Sequence, residues 1–249
     1  MYLKDSEVTR FRAEGFLKVP QVLSTAEVAG FLEEAKKLLH HKTTLHWPVE
    51  EGMVMDWVAD VELESATMRR LALHPVVTGI AEQLAGRPLR LFKSELLRKE
   101  SAGSTATPLH IDESALPINS APVTLTAWVA LVDVPAERGC MTFWPGSHGL
   151  ELAETEDLTS HPELRFWPRL TVPLRAGDCT FHHARTAHSA HANETDVTRI
   201  SLATVYMDAE ARFDPRRLYA EGMTDGLSRL LATMKAGDEL SGERFPKLR

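Results

Sequence analysis

Between "AEQLAG" and "RPLRLFKSELLRKE" the chain changes its periodicity, and that change restricts its fold more than any other feature. Before it, apolar residues recur at helical spacing. "STAEVAGFLEEAKKLLHH" opens on Ser24, a capping residue, with Glu27 three positions on, and repeats Val28, Phe31, Leu32, Ala35 and Leu38 along one face, which predicts an amphipathic helix. "DSEVTRFRAEG" reads as a short helix ending near Gly15, followed by an extended "FLKVP". "ATMRRLALHPVVTGIAEQLAG" reads as a third helix, bent or interrupted at Pro75 and closed by Gly86. After the change, short β-branched segments predict strands over Leu89 to Arg98, Val123 to Val134, Met141 to Trp144, Leu170 to Pro173, Asp178 to His183 and Arg199 to Met207. Short strands with no helices between them lack the crossovers a parallel sheet needs, so an antiparallel sandwich or barrel is expected. The 249 residues read as one domain: a mainly helical part over 1–88, a β core over 89–207, and a segment over 208–249 with a helix around "GLSRLLATMKAG".

Charge and cysteine usage narrow the function classes. A formal net charge of -7 provides no basic footprint for nucleic acid or anionic lipid. No window approaches about 18 apolar residues, and "MYLKDSEVTRF" carries charges where a signal peptide needs an apolar run. Cys140 and Cys179 are far apart and form no CxxC pair, so they read as small buried hydrophobes. These features predict a cytoplasmic protein that acts on a small molecule and has no nucleic-acid or membrane partner; its oligomeric state is not legible.

In "TPLHIDES", His110 and Asp112 stand two positions apart. On a strand such residues point to one side, so an imidazole and a carboxylate can reach one ion. A third ligand is needed, and "GDCTFHHARTAHSAHANETDVTRIS" offers His182, His183, His188 and His191 without distinguishing among them. Two histidines and one carboxylate from separate strands form the facial set that suits Fe(II), whereas structural zinc favours a closed tetrahedral set. Downstream, Arg199 and Ser201 share one side of the last predicted strand. A buried guanidinium needs a carboxylate, supplied either by the distal end of 2-oxoglutarate or by an acid of the chain itself.

Together these segments resemble the phytanoyl-CoA dioxygenase family of Fe(II)- and 2-oxoglutarate-dependent oxygenases. The likeness runs from "EVTRFRAEGFLKVPQVLSTAEVAGFLEEAKKLL" through "KESAGSTATPLHIDES" and "LTAWVALVDVPAERGCMTFWPGSH" to the GD turn, histidine, Asn193 and arginine of the histidine-rich segment. The resemblance implies an α+β chain with a mainly β core: a double-stranded β-helix, or jelly-roll, cupin-like barrel, with N-terminal and flanking helices. It implies His110, Asp112 and His188 as iron ligands and catalytic residues, and Arg199 as the grip on 2-oxoglutarate. Trp128 is implied as a wall of the cosubstrate pocket, and Ser201 as a further hydrogen bond to the same carboxylate. Fe(II), 2-oxoglutarate and O2 are the implied requirements, with succinate and CO2 released and a small-molecule or natural-product substrate hydroxylated or otherwise oxidised.

Asp112 argues against halogenation, because halide-transferring relatives carry a small residue there. The chain departs from the family at Leu109, where an aromatic is common, at "ESAG", which replaces prolines, and at Ala190. Pocket walls are expected from "HHKTTLHWPVEEGMVMDW", "ESALPINSAP" and "YMDAEARFDPRRLYAEGM". The competing reading is a cupin-like metalloenzyme or metal-binding protein that does not use 2-oxoglutarate and has no need of Arg199.

Overall fold

The computed structural model describes residues 3–42, 44–101, 103–119, 123–150, 158, 161–217 and 226–248. Helix α1 (Asp5–Glu14) ends at Gly15, whose φ of 80° is left-handed. A side chain there would also collide with His148 and Thr186, so the turn needs glycine on two counts. Strand β1 (Phe16–Val19) follows, then α2 (Thr25–His41), started by the predicted reciprocal cap: Ser24 N–H donates to Glu27 Oε2 at 2.8 Å and Glu27 N–H to Ser24 Oγ at 3.3 Å. The predicted interruption at Pro75 is a break between α4 (Ala66–Ala72) and α5 (Pro75–Ala85), because proline at a first helical position lacks only an N–H that would be unpaired anyway.

One part of the first 88 residues differs from the helical expectation. The segment read as a pocket wall is a hairpin, β2 (Leu45–Val49) and β3 (Gly52–Ala59), followed by the single turn α3 (Val61–Glu64). Every predicted strand is present, as β4 (Leu89–Lys99), β6 (Thr124–Ala130), β7 (Met141–Phe143), β8 (Leu170–Val172), β9 (Cys179–His183) and β11 (Arg199–Asp208). Two further short strands carry the metal-ligand candidates, β5 (Thr107–His110) and β10 (His188–Ala190). Helices α6 (Pro162–Phe166) and α7 (Gly226–Leu231) lie on the flanks.

The strands form two antiparallel sheets, ordered β1-β9-β6-β11-β4-β3-β2 and β5-β10-β7-β8, that close as a jelly roll. Period-two alternation divides the large sheet's residues between its two faces. Ile200 and Leu202 of β11, Leu125, Ala127 and Val129 of β6, and Phe181 of β9 pack outward with the buried residues of α1, α2, α4 and α5. Their neighbours Arg199, Ala203, Thr126, Trp128 and His182 face inward and line the interior cavity. Phe16 stacks on Phe143 at 4.5 Å between ring centroids, joining the large sheet to the small one. Both cysteines are free and buried, and burial pushes the Cys140 thiol up to about 12.

The C-terminal segment is tied to this frame by charge. Glu62, buried on α3, accepts from Ser94 N–H at 3.0 Å and from Arg244 Nη1 at 3.0 Å, while Arg244 Nη2 donates to Asp60 Oδ1 at 2.7 Å. Burial raises the Glu62 carboxyl, against the attraction of Arg244. Arg244→Ala strands a buried acid, so it is expected to cost roughly 3–5 kcal/mol in chemical denaturation. A loss below about 1 kcal/mol would class the pair with exposed salt bridges.

Candidate functional site

His110 and His188 are directly opposite one another in the β5–β10 pair, so their side chains leave the small sheet from the same place. Each ring is aimed by its own backbone. His110 Nδ1 lies 2.8 Å from Pro108 O and His188 Nδ1 lies 2.9 Å from Thr186 O. A carbonyl only accepts, so both Nδ1 atoms carry a proton, and the Nε2 atoms are the ones turned toward the shared point. Asp112, in the tight turn after β5, places Oδ1 3.8 Å from His110 Nε2 and 3.6 Å from His188 Nε2. One donor atom from each of the three residues falls within a 4.8 Å span.

Electrostatics favour ligation at this point. Burial, followed by the charge of His110, lowers His188 to about 3, so its ring is neutral at neutral pH, as a ligand must be. Burial alone would raise Asp112, but His188, the hydrogen bond from His182 and the charge of His110 outweigh it and hold the carboxyl below its usual range. Two backbone-oriented imidazoles and one ionised carboxylate fit a divalent ion such as Fe(II).

The other histidines of the cluster separate cleanly. His183 accepts from Arg185 N–H at 3.1 Å, and His191 Nε2 lies 3.2 Å from Thr142 Oγ1, so neither faces the triad. His182 is the surprise. From the large sheet it brings Nε2 to 3.0 Å from Asp112 Oδ2, beside Thr126 Oγ1 at 2.7 Å. Alternation along β6 and β9 marks both residues as inward-facing, but nothing in the sequence says which interior group they meet.

Further along the interior, Arg199 is only 2% exposed. Its Nη1 donates to Gly139 O at 2.9 Å, its Nη2 meets only Met55 Sδ at 3.9 Å, and its Nε is buried without a partner. Trp128 lies against it, with the guanidinium carbon 5.3 Å from the ring centroid. Ser201, two residues on, buries Oγ without a partner. Among the described residues no carboxylate pairs with Arg199, whose partners are a carbonyl and a thioether.

Lys99 sits beside this group, fully buried. Its Nζ is 2.7 Å from Thr105 O, 2.9 Å from His191 O and 3.2 Å from Thr107 Oγ1, bracing the loops that flank β5 and β10. Burial, aided by the charge of Arg199, lowers it to about 6. Asn193 completes the brace by donating to Lys99 O at 3.1 Å.

The triad and Arg199 line a cavity of about 590 Å³. Two of the three predicted walls contribute to its lining, whereas the described part of the third, residues 206–217, does not, and Tyr206 packs in the outer core instead. The hairpin supplies Trp47, Met55 and Trp57, and the stretch after Asp112 supplies Leu116 and Pro117. Residues 120–122 of that stretch, and 218–223 of the third predicted wall, lie outside the described residues. Helix α7 adds Leu227 and Leu231 to the lining, which periodicity alone did not indicate. No helix among the described residues is long and apolar enough to cross a membrane.

Residues 11–201 match the family model for phytanoyl-CoA dioxygenase (PhyH). A methylphosphonate hydroxylase of Gimesia maris is 25% identical over 252 residues, covering 92% of each chain. Two solved structures are more similar. The epimerase SnoN, crystallised with Fe3+, alpha ketoglutarate and nogalamycin RO, is 48% identical with a TM-score of 0.89, covering 98% of both chains. The non-heme alpha ketoglutarate dependent carbocyclase SnoK from nogalamycin biosynthesis is 40% identical with a TM-score of 0.88, covering 98% of this chain and 96% of that one.

Gly139 tests how tightly the Arg199 end is built. Its φ is +74°, and an added Cβ would lie 3.0 Å from Lys99 Cδ and 3.2 Å from His191 O. Gly139→Ala is expected to cost about 1–2 kcal/mol from the left-handed backbone alone and to weaken anion binding at Arg199. Denaturant midpoints and 2-oxoglutarate titration read the two effects; a folded variant with unchanged cosubstrate affinity would count against the packing argument.

Proposed function

The chain belongs to the phytanoyl-CoA dioxygenase family, and on that premise we propose that it is an Fe(II)- and 2-oxoglutarate-dependent oxygenase that oxidises a C–H bond of a polycyclic natural product. One observation carries the reading: a convergent His110, Asp112, His188 donor set shares a cavity with a buried arginine that has no anionic partner among the described residues. The cupin-like alternative leaves that buried cation unexplained. The apolar walls, with Trp47 edge-on to His110 at 5.7 Å, suit a broad, flat substrate, in keeping with the nogalamycin RO bound to SnoN. A cytoplasmic location accords with two buried cysteines left as free thiols.

In this reading His110, Asp112 and His188 hold the metal and Arg199 receives the distal carboxylate of 2-oxoglutarate. The bound metal, with 2-oxoglutarate and O2, supplies an oxidant strong enough to take hydrogen from a saturated carbon, with succinate and CO2 as coproducts. The chain's own work is positioning. The two Nδ1–H bonds to carbonyls keep both imidazoles aimed before any ion arrives. Trp128 packs on the guanidinium and limits its swing, and Ser201 Oγ offers a further hydrogen bond nearby. Trp57 Nε1, buried in the cavity wall without a partner, is available to a substrate oxygen. Hydroxylation, epimerisation and ring closure all begin at the same C–H bond, and which one follows depends on where the walls hold the substrate.

Anaerobic titration of the Fe(II)-loaded protein with 2-oxoglutarate is expected to produce the weak visible band of a keto acid chelated to ferrous iron. Arg199→Ala should weaken that binding by about 100-fold, for a charged contact worth roughly 3 kcal/mol, while leaving iron content unchanged. Absence of the band in iron-containing wild-type protein would favour the cupin-like alternative. His188→Ala should abolish iron loading and His191→Ala should not. The product's mass then identifies the outcome: one oxygen gained for hydroxylation, two hydrogens lost for ring closure, no change for epimerisation.

A further inference from the structure

We infer that Thr126 and His182 are positioning residues that hold Asp112 by one oxygen, Oδ2, so that it serves the metal through the other, Oδ1. The inference rests on the metal reading above and assigns work to two residues outside the ligand set.

The division of the carboxylate is visible in the distances. Oδ2 accepts from Thr126 Oγ1 at 2.7 Å and lies 3.0 Å from His182 Nε2, both within hydrogen-bond range. Oδ1 makes neither bond and faces Nε2 of His110 and of His188 at 3.8 Å and 3.6 Å. Thr126 and His182 are partners in the β6–β9 register, so two adjacent strands of the large sheet present one donor each to a single oxygen arriving from the turn after β5.

Among the described residues His182 has no other hydrogen-bond partner. Its side chain is 2% exposed, its ring lies 5.4 Å from that of Phe143, and its Nδ1 is buried without a partner. A carboxylate accepts, so Nε2 donates, and Nδ1 is left buried and unpaired at a cost of about 1–3 kcal/mol. Plain packing would favour an apolar ring here. The charge-assisted bond to Asp112 accounts for an imidazole instead. His182 is also disfavoured as a fourth ligand, because its one directed nitrogen is engaged with Oδ2, outside the convergent set.

The consequence is chemical. A carboxylate free to rotate can chelate an ion through both oxygens and occupy a position that the cosubstrate or O2 requires. Two donors on Oδ2 oppose that rotation.

Co(II), added to the metal-free full chain, tests this without turnover. Wild-type protein is expected to bind Co(II) and to show a visible d–d spectrum that changes when 2-oxoglutarate is added. His182→Phe, which keeps a ring but donates nothing, should weaken Co(II) binding about 10–100-fold and blunt the response to 2-oxoglutarate. Thr126→Val keeps the side-chain shape and should move both readouts in the same direction, and it carries the test if the phenylalanine variant does not fold. His182→Gln, which retains an N–H donor, should recover much of the wild-type spectrum.

Wild-type affinity and spectrum in both His182→Phe and Thr126→Val would overturn the inference. So would complete loss of Co(II) binding in a folded His182→Phe variant, which would make His182 a ligand. A wild-type chain that takes up no Co(II) would overturn the metal reading itself, and this inference with it.

Discussion

The opposition of His110 and His188 across the β5–β10 pair is the contact on which the rest of the site depends. Neither strand is long enough to be stable alone, and each is held by what surrounds it. β10 is flanked on its other side by β7, while Lys99 and Asn193 fasten the loops beside both strands to the end of β4. With that pairing in place, the Nδ1–H bonds to Pro108 and Thr186 leave each ring little freedom, and Asp112 follows within one turn of chain. The donor set is therefore assembled by backbone geometry before it is assembled by an ion.

The Arg199 end follows an opposite logic. A guanidinium taken out of water without a counter-charge is a standing cost to the fold, and burial drags Arg199 down to about 10. The cost is bearable because Gly139 O and the Trp128 face take part of the desolvation. It also has a use, since an anion entering the cavity recovers attraction that no group of the described chain provides, and its binding stabilises the folded state by linkage. In the proposed reading, the stability forgone in burying this cation becomes affinity for a carboxylate.

Both ends are carried by strands that serve two masters. On β11, Ile200, Leu202 and Tyr206 belong to the core packed with the helices, and Tyr206 OH reaches Ala72 O at 2.5 Å, while Arg199, Ala203 and Val205 face the cavity. On β6 and β9 the same alternation sets Leu125 and Phe181 outward against Thr126 and His182 inward. The outer face provides the apolar burial that keeps the sheet rigid, and that rigidity allows buried polar groups on the inner face to be held to within a few tenths of an ångström.

Local chemistry made much of this legible. Ser24 and Glu27 announce α2, Pro75 and Gly86 bound α5, and runs such as "LTAWVAL" declare strands with Thr126 and Trp128 on one side. The hairpin of β2 and β3 was not legible, because "LHWPVEEGMVMDW" contains a proline and a shifted register and takes its stability from β4, far along the chain. Strands β5 and β10 are shorter still, and their residues carry little strand propensity of their own. Among the four clustered histidines the residues by themselves offered no choice, and family likeness selected His188. The sequence by itself determined which residues share a face, since that depends on a period of two along one strand. Only the tertiary structure decided which faces meet, leaving His191 outside the cavity and His182 against Asp112, because such contacts are set by pairing between segments distant in the chain.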